Sequence, residues 1–102
     1  MRVIHGGTVK AWGRRHPDAA EALSAWLVNA TRATWGSLTE VRRVYPHADL
    51  VPVGSGRSVV VFNIRGNRYR LVTAIHYNRQ VIYTLRFMTH AEYSKDRWKD
   101  TL

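Results

Sequence analysis

Along the first half of the chain apolar residues recur at spacings of three and four; along the second half they alternate with polar ones. Met1 to Ile4 is a short strand candidate, closed by Gly6-Gly7. TVKAWGRR, residues 8–15, predicts a turn or two of helix with Thr8 as N-cap, weakened by Gly13. A firmer helix follows. Pro17 suits a first helical position, and Asp18 and Glu21 fall where the helix dipole favours anions. Ala19, Leu23, Trp26, Leu27 and Ala30 lie on one side of it, and Gly36 ends it. Ser37-Leu38-Thr39-Glu40 reads as a capping box that starts a short helix, SLTEVRRVY, stopped by Pro46. DLVPVGSGR, residues 49–57, reads as loop.

From Ser58 three strand-like runs follow, SVVVFNIR, RYRLVTAIHY and QVIYTLRFM, divided at Gly66-Asn67 and at Asn78-Arg79. HAEYSKDRWKD predicts a short C-terminal helix or an ordered tail. No repeat, low-complexity segment or linker interrupts the chain, so residues 1–102 are expected to form a single domain. The element order is that of an α+β fold: a short N-terminal strand, two to three helices, then an antiparallel three-stranded meander. The helices are expected on one face of the sheet and the opposite face is expected to be open.

Strand alternation assigns residues to those faces. A two-residue turn at Gly66-Asn67 pairs Ile64 with Tyr69, Asn63 with Arg70 and Phe62 with Leu71. Val60, Phe62, Ile64, Tyr69, Leu71, Thr73 and Ile75 then share the helix-facing side. Asn63, Arg68, Arg70, Val72, Ala74 and His76 share the other. In the third strand a strict turn at Asn78-Arg79 would bury Arg86 and expose Tyr83, Leu85 and Phe87, unfavourable on both counts. An odd loop or a bulge is therefore expected, placing Tyr83, Leu85 and Phe87 in the core and Arg86, Met88 and His90 beside Arg70. Arg68, Arg70 and Arg86, with Asn63 and His76, would form a cationic floor.

Composition sharpens this picture. Sixteen Lys and Arg face seven Asp and Glu, a net charge of +9, which points to a polyanion and usually to nucleic acid. An acidic protein partner that masks the charge fits as well. Cysteine is absent, which removes disulfides, thiolate chemistry and Cys-based zinc sites. The five histidines show no metal-ligand spacing, and no cofactor is expected. Apolar runs fall short of the ~20 residues that span a bilayer, and the N-terminus lacks a signal-peptide core. A cytoplasmic protein with no membrane partner is expected.

FNIRGNRYRLV, residues 62–72, followed by MTHAEY, residues 88–93, resembles the HigB family of type II toxins. The matching elements are Phe62-Asn63, Gly66-Asn67, Arg70 with its following apolar pair, Thr89-His90 and Glu92-Tyr93. The resemblance implies a RelE-like fold and a ribosome-dependent endoribonuclease that cuts mRNA held in the ribosomal A site. It also implies contacts with rRNA and a cognate helix-turn-helix antitoxin. Carried over, Arg70, His90 and Tyr93 are the catalytic candidates; Arg86 joins them from the face assignment. Metal-free cleavage uses the RNA's own 2′-hydroxyl, giving a 2′,3′-cyclic phosphate and a 5′-hydroxyl. Arg70 and Arg86 suit the phosphate, His90 suits general acid or general base work, and Tyr93 suits stacking on a base or placing the 2′-hydroxyl. Asn63, Asn67, Arg68 and Lys95 are candidate RNA contacts. Trp12, Trp26 and Trp35 read as packing residues, and Trp98 as an exposed one open to antitoxin or rRNA. The alternative is a basic module that binds RNA or the ribosome without cutting.

Overall fold

The computed structural model describes residues 1–102. A short strand, β1 (Arg2–Ile4), leads into helix α1 (Gly6–Arg15). A 3-10 turn at Pro17–Ala19 opens α2 (Ala20–Arg32), and α3 spans Leu38–Val44. Strands β2 (Asp49–Pro52), β3 (Ser58–Ile64), β4 (Tyr69–His76) and β5 (Val81–Thr89) follow, then α4 (His90–Ser94) and a 3-10 turn at Arg97–Thr101. The strands form one sheet in the order β1-β5-β4-β3-β2, with β1 parallel to β5 and every other pair antiparallel. No helix is long and apolar enough to cross a membrane.

The architecture is the expected α+β one, with differences at the edges of elements. Helix α1 begins at Gly6 rather than after Thr8, because His5 takes a left-handed conformation (φ 68°) and its carbonyl accepts from the Thr8 N–H at 2.9 Å. Helix α2 already ends at Arg32, ahead of Gly36. The Ser37 cap forms by half: Ser37 Oγ accepts from the Glu40 N–H, but the Glu40 carboxylate reaches the Gly36 N–H instead of the cap residue's own. Asp49–Pro52, expected as loop, is an edge strand on β3, where Leu50 and Val51 meet Val60 and Val59. Proline is tolerated there because an outer strand has one side free of ladder bonds.

The main core lies between the sheet and α1–α3. Val60, Phe62, Ile64, Tyr69 and Leu71 enter it from the sheet; Val9, Leu23, Trp26, Ala30 and Val41 enter from the helices. Phe62 is fully buried, and its ring sits 5.4 Å from Trp26, 6.4 Å from Trp35 and 5.3 Å from Tyr45, centroid to centroid. The Trp26 indole N–H is buried there without an acceptor.

Strand β5 shows where alternation alone misleads. Near its turn it keeps the strict register, His76 opposite Val81 and Ile75 opposite Ile82. A bulge between Val72 and Thr73 then shifts the pairing by one, so Leu71 meets Phe87 and Val72 meets Arg86. Phe87 therefore packs toward the helices as expected, but Tyr83 and Leu85 do not; Ile82 and Thr84 take the inner positions on their half of the strand. The bulge lets one strand satisfy two conflicting halves of its own sequence.

The face opposite the helices is not open as expected. Val51, Val53, Val59, Val61, Val72 and Met88 form a second apolar cluster beneath Trp98, which is buried rather than exposed. The C-terminal 3-10 turn is held on this cluster by the Gly54 N–H, which donates to the Lys99 carbonyl at 2.9 Å. A Cβ at residue 54 would lie 3.0 Å from that oxygen, a tight contact that a side chain could enter only if the turn moved by a few tenths of an ångström.

The tip of the β3–β4 hairpin is tied to the helical layer by Asp18. Its carboxylate accepts from Arg65 Nη1 at 2.7 Å and from the Tyr69 hydroxyl at 2.8 and 3.0 Å. The Tyr69 hydrogen bond, then Arg65, holds the Asp18 carboxyl below its ordinary range. A depressed carboxyl stabilises the fold fully above the unfolded value, about 3.9, and that stabilisation disappears as pH falls through the folded value. Urea midpoints across a pH series are therefore expected to separate the parent chain from Asp18→Asn at neutral pH and to converge in acid. Phe62→Ala is expected to lower unfolding stability by about 3–5 kcal/mol, read from urea midpoints at unchanged m.

Candidate active site

Strand β4 is interior to the sheet, and it pairs Arg70 with Asn63 on one side and Met88 on the other. The residue is 8% exposed. Its Nη1 donates to the Asn67 carbonyl at 3.2 Å and the Tyr69 carbonyl at 3.1 Å. Its Nη2 donates to Asn67 Oδ1 at 2.5 Å and lies 3.2 Å from His90 Nδ1. The guanidinium carbon sits 5.4 Å from the centre of the Tyr93 ring. Every one of these partners is neutral or an aromatic face. The ion pairs of the structure join Arg65 and Arg68 to Asp18 and Lys99 to Asp96, and none includes Arg70.

Local chemistry places each partner. Arg65 and Gly66 both have positive φ, 53° and 63°, and this turn folds Asn67 back over Arg70. Glycine reaches such a conformation without a Cβ penalty. At the other end, Thr89 caps α4: its Oγ1 accepts from the Glu92 N–H at 3.2 Å, while Glu92 Oε1 accepts from the Thr89 N–H at 3.1 Å. The His90 N–H donates to the Arg68 carbonyl at 2.9 Å, which fastens the start of α4 to the hairpin. His90 is then the first residue of the helix and Tyr93 lies one turn on, on the same side.

A guanidinium has only donors to offer, so its contact makes His90 Nδ1 an acceptor and leaves the ring proton on Nε2. Tyr93 is enclosed from two directions. Trp98 stacks on it at 5.2 Å and 22° and donates its indole N–H to the Tyr93 carbonyl at 3.1 Å, while Arg70 lies against the ring. Burial, and after it the negative charge of Asp49, raises the Tyr93 hydroxyl above its ordinary range, so it keeps its proton at neutral pH.

The structure thus brings Arg70, Asn67, His90 and Tyr93 together. Asn63 stands beside them and lines, with His47, Gly66 and Asn67, a recess that has no apolar wall. The expected floor of three arginines does not form. Arg68 lies beyond the last pair of the ladder, Ile64–Tyr69, so alternation does not govern it, and its guanidinium turns to Asp18 at 4.0 Å on the helical side. Arg86 does share the sheet face of Arg70, but its Nη1 donates to the Leu85 carbonyl at 3.0 Å. It lines a separate groove with Lys95, Arg97 and Trp98, and Met88 rather than Arg86 stands opposite Arg70. His76 sits at the far end of β4, against the edge of Tyr83. No three His, Asp or Glu side chains gather to hold a metal ion.

Three contributors lie outside the sequence expectations. The Thr89 to Glu92 spacing is a capping signal that could have placed His90 at a helix start. Trp98 behind Tyr93 and His47 beside the recess carry no such signal: Trp98 is placed by the C-terminal 3-10 turn on the second apolar cluster, and His47 by the connection that leads into β2.

No curated protein matches the chain. One family profile does, over residues 19–96. That span contains Asn63, Asn67, Arg70, His90 and Tyr93, while Asp18 and Trp98 fall outside it. On this match the chain belongs to the HigB toxin family, the RelE-like toxic component of a toxin-antitoxin system.

Proposed function

We propose that the chain is an endoribonuclease that cuts mRNA on the ribosome, with the Arg70 cluster as its active site. The observation that carries this is a nearly buried guanidinium with no carboxylate beside it, framed by an imidazole and a phenol. Desolvating a cation without a counter-ion is unfavourable. A phosphodiester entering the site supplies the missing charge, and arginine's planar fork suits two of its oxygens.

The residues account for each step of a transesterification. When Nη2 turns from His90 to a phosphate oxygen, His90 Nδ1 is freed to accept the 2′-hydroxyl proton. The 2′-oxygen attacks phosphorus and the bond to the 5′-oxygen breaks. Arg70 stabilises the extra charge on the oxygens in between. The departing 5′-oxygen takes the Tyr93 hydroxyl proton. Even a raised phenol is a far stronger acid than an alcohol, so this transfer runs downhill. Solvent returns the proton from His90 to Tyr93. The products are a 2′,3′-cyclic phosphate and a 5′-hydroxyl.

Exposed Arg14, Arg15, Arg32 and Arg43 supply contacts to rRNA phosphates, as does the groove of Arg86, Lys95 and Arg97. Such contacts add affinity without sequence information. The partner that restrains the toxin is a helix-turn-helix antitoxin, and its acidic groups would complement the +9 charge.

Arg70→Ala is expected to abolish growth arrest and to slow cleavage on programmed ribosomes by about 100- to 1,000-fold. Arg70→Lys is expected to recover little of it, since a point charge lacks the fork. His90→Ala, at an exposed position, should leave the circular dichroism and antitoxin binding intact while cleavage falls by about 100-fold or more. Full cleavage by both Arg70→Ala and His90→Ala would exclude this site. Salt-sensitive ribosome binding by the parent chain, with no cyclic-phosphate ends, would favour the non-catalytic module.

A further inference from the structure

We infer that Asp18 is a positioning residue for the Arg70 site, acting through the turn of the β3–β4 hairpin. This rests on the ribonuclease function proposed above. Asp18 itself lies outside the residues that the family profile matches.

The turn is bonded in two directions. Its side chains reach Asp18: the carboxylate accepts from Arg65 Nη1 and from the Tyr69 hydroxyl, and Arg68 Nη1 stands 4.0 Å away. Its carbonyls reach the site. Those of Asn67 and Tyr69 accept from Arg70 Nη1, and that of Arg68 accepts from the His90 N–H. One carboxylate on the helical side therefore fixes the segment that carries three acceptors for Arg70 and His90. A rotation of the turn would displace all three together.

The turn needs an outside restraint. Arg65 has φ 53°, and a residue with a side chain persists in that conformation only where its surroundings enforce it. The backbone bond that closes the turn, from the Arg68 N–H to the Arg65 carbonyl, is long at 3.3 Å. A Cβ on Gly66 would meet no atom within 4 Å, so packing does not brace the tip. Asp18 is the acid that pairs with Arg65 and Arg68.

The anchor is firm where the turn is not. Asp18 sits between Pro17, whose ring fixes its backbone, and Ala19, which is fully buried and donates its N–H to the His16 carbonyl at 2.8 Å. Gly13 lets α1 approach this point closely; a Cβ there would lie 3.4 Å from Ala20. The His16 ring packs against Tyr69 at 5.2 Å. A partly exposed ion pair such as Asp18–Arg65 adds little to global stability. A shift of about an ångström in a catalytic group can slow a reaction about 100-fold. The larger effect of Asp18 is therefore on rate.

The test measures kcat and KM on programmed ribosomes for the parent chain, Asp18→Ala, Tyr69→Phe and the double variant. Val41→Ala, a core change in α3, serves as a control for lost stability. In Asp18→Ala kcat is expected to fall about 10- to 100-fold with KM little changed, and in Tyr69→Phe by a smaller factor. The double variant is expected to be no slower than Asp18→Ala, because both changes break one shared bond. Val41→Ala is expected to keep the parent kcat. A second measurement needs no ribosome: the Arg70 guanidinium and His90 ring nitrogen resonances of labelled protein should broaden or shift in Asp18→Ala and Tyr69→Phe, but not in Val41→Ala. Should Asp18→Ala fail to fold, Tyr69→Phe, which loses only a hydroxyl, carries the same expectation. Absence of cleavage by the parent chain would remove the ribonuclease function, while the resonances would still decide whether Asp18 positions Arg70. Parent-like kcat and resonances in Asp18→Ala would overturn the positioning role alone. So would an equal fall of kcat in Val41→Ala. A lower KM at the parent kcat would also overturn it, making Asp18 only a mask over Arg65 and Arg68.

Discussion

A guanidinium taken out of water must have its hydrogen bonds met, and Arg70 has them met without any negative charge. Two carbonyls, one amide oxygen and one imidazole nitrogen surround it, with an aromatic ring alongside. This is enough to hold the group in place but not to neutralise it. The rest of the site is arranged around that constraint. The hairpin turn supplies Asn67, the cap of α4 supplies His90, and the C-terminal turn braces Tyr93. A carboxylate at any of these places would neutralise the guanidinium, and none is there.

The two faces of the sheet divide the work. The helical side carries the large core around Phe62, where three aromatic side chains meet its ring. The other side carries a smaller cluster of valines, Met88 and Trp98. That second cluster keeps the C-terminal turn in place, and through Trp98 it keeps Tyr93 against Arg70. Asp18 acts from the helical side on the same hairpin, holding Arg65 and Tyr69 at the turn whose next residues form the site. Packing on both faces thus converges on one short turn.

Charge is distributed by the same logic. Arg65 and Arg68 turn to Asp18, Arg42 donates to the Ala48 carbonyl, and Arg86 stays at the surface in its own groove. Only Arg70 is both buried and free of an acidic partner. A net positive charge alone therefore does not single out Arg70, because most arginines serve the surface or the scaffold.

Much of this was legible from residue order. Local periodicity marked the helices and the three long strands, and alternation set the Asn63–Arg70 and Phe62–Leu71 pairs correctly. These are properties of neighbours along the chain, fixed by strand pleat and a tight turn. What alternation could not reach was decided elsewhere. The bulge in β5 arose because one strand must serve Ile82 near its turn and Phe87 beyond it. The edge strand at Asp49–Pro52 exists only because β3 lies beside it. Burial of Trp98, the turn of Arg68 toward Asp18 and the arrival of His47 near Asn63 all depend on contacts between distant segments. Sequence by itself determined which residues carry charge and which face of each regular strand they leave; only the packed structure decided which of those charges would be left buried and unpaired, because counter-ions and covering side chains come from segments far away along the chain.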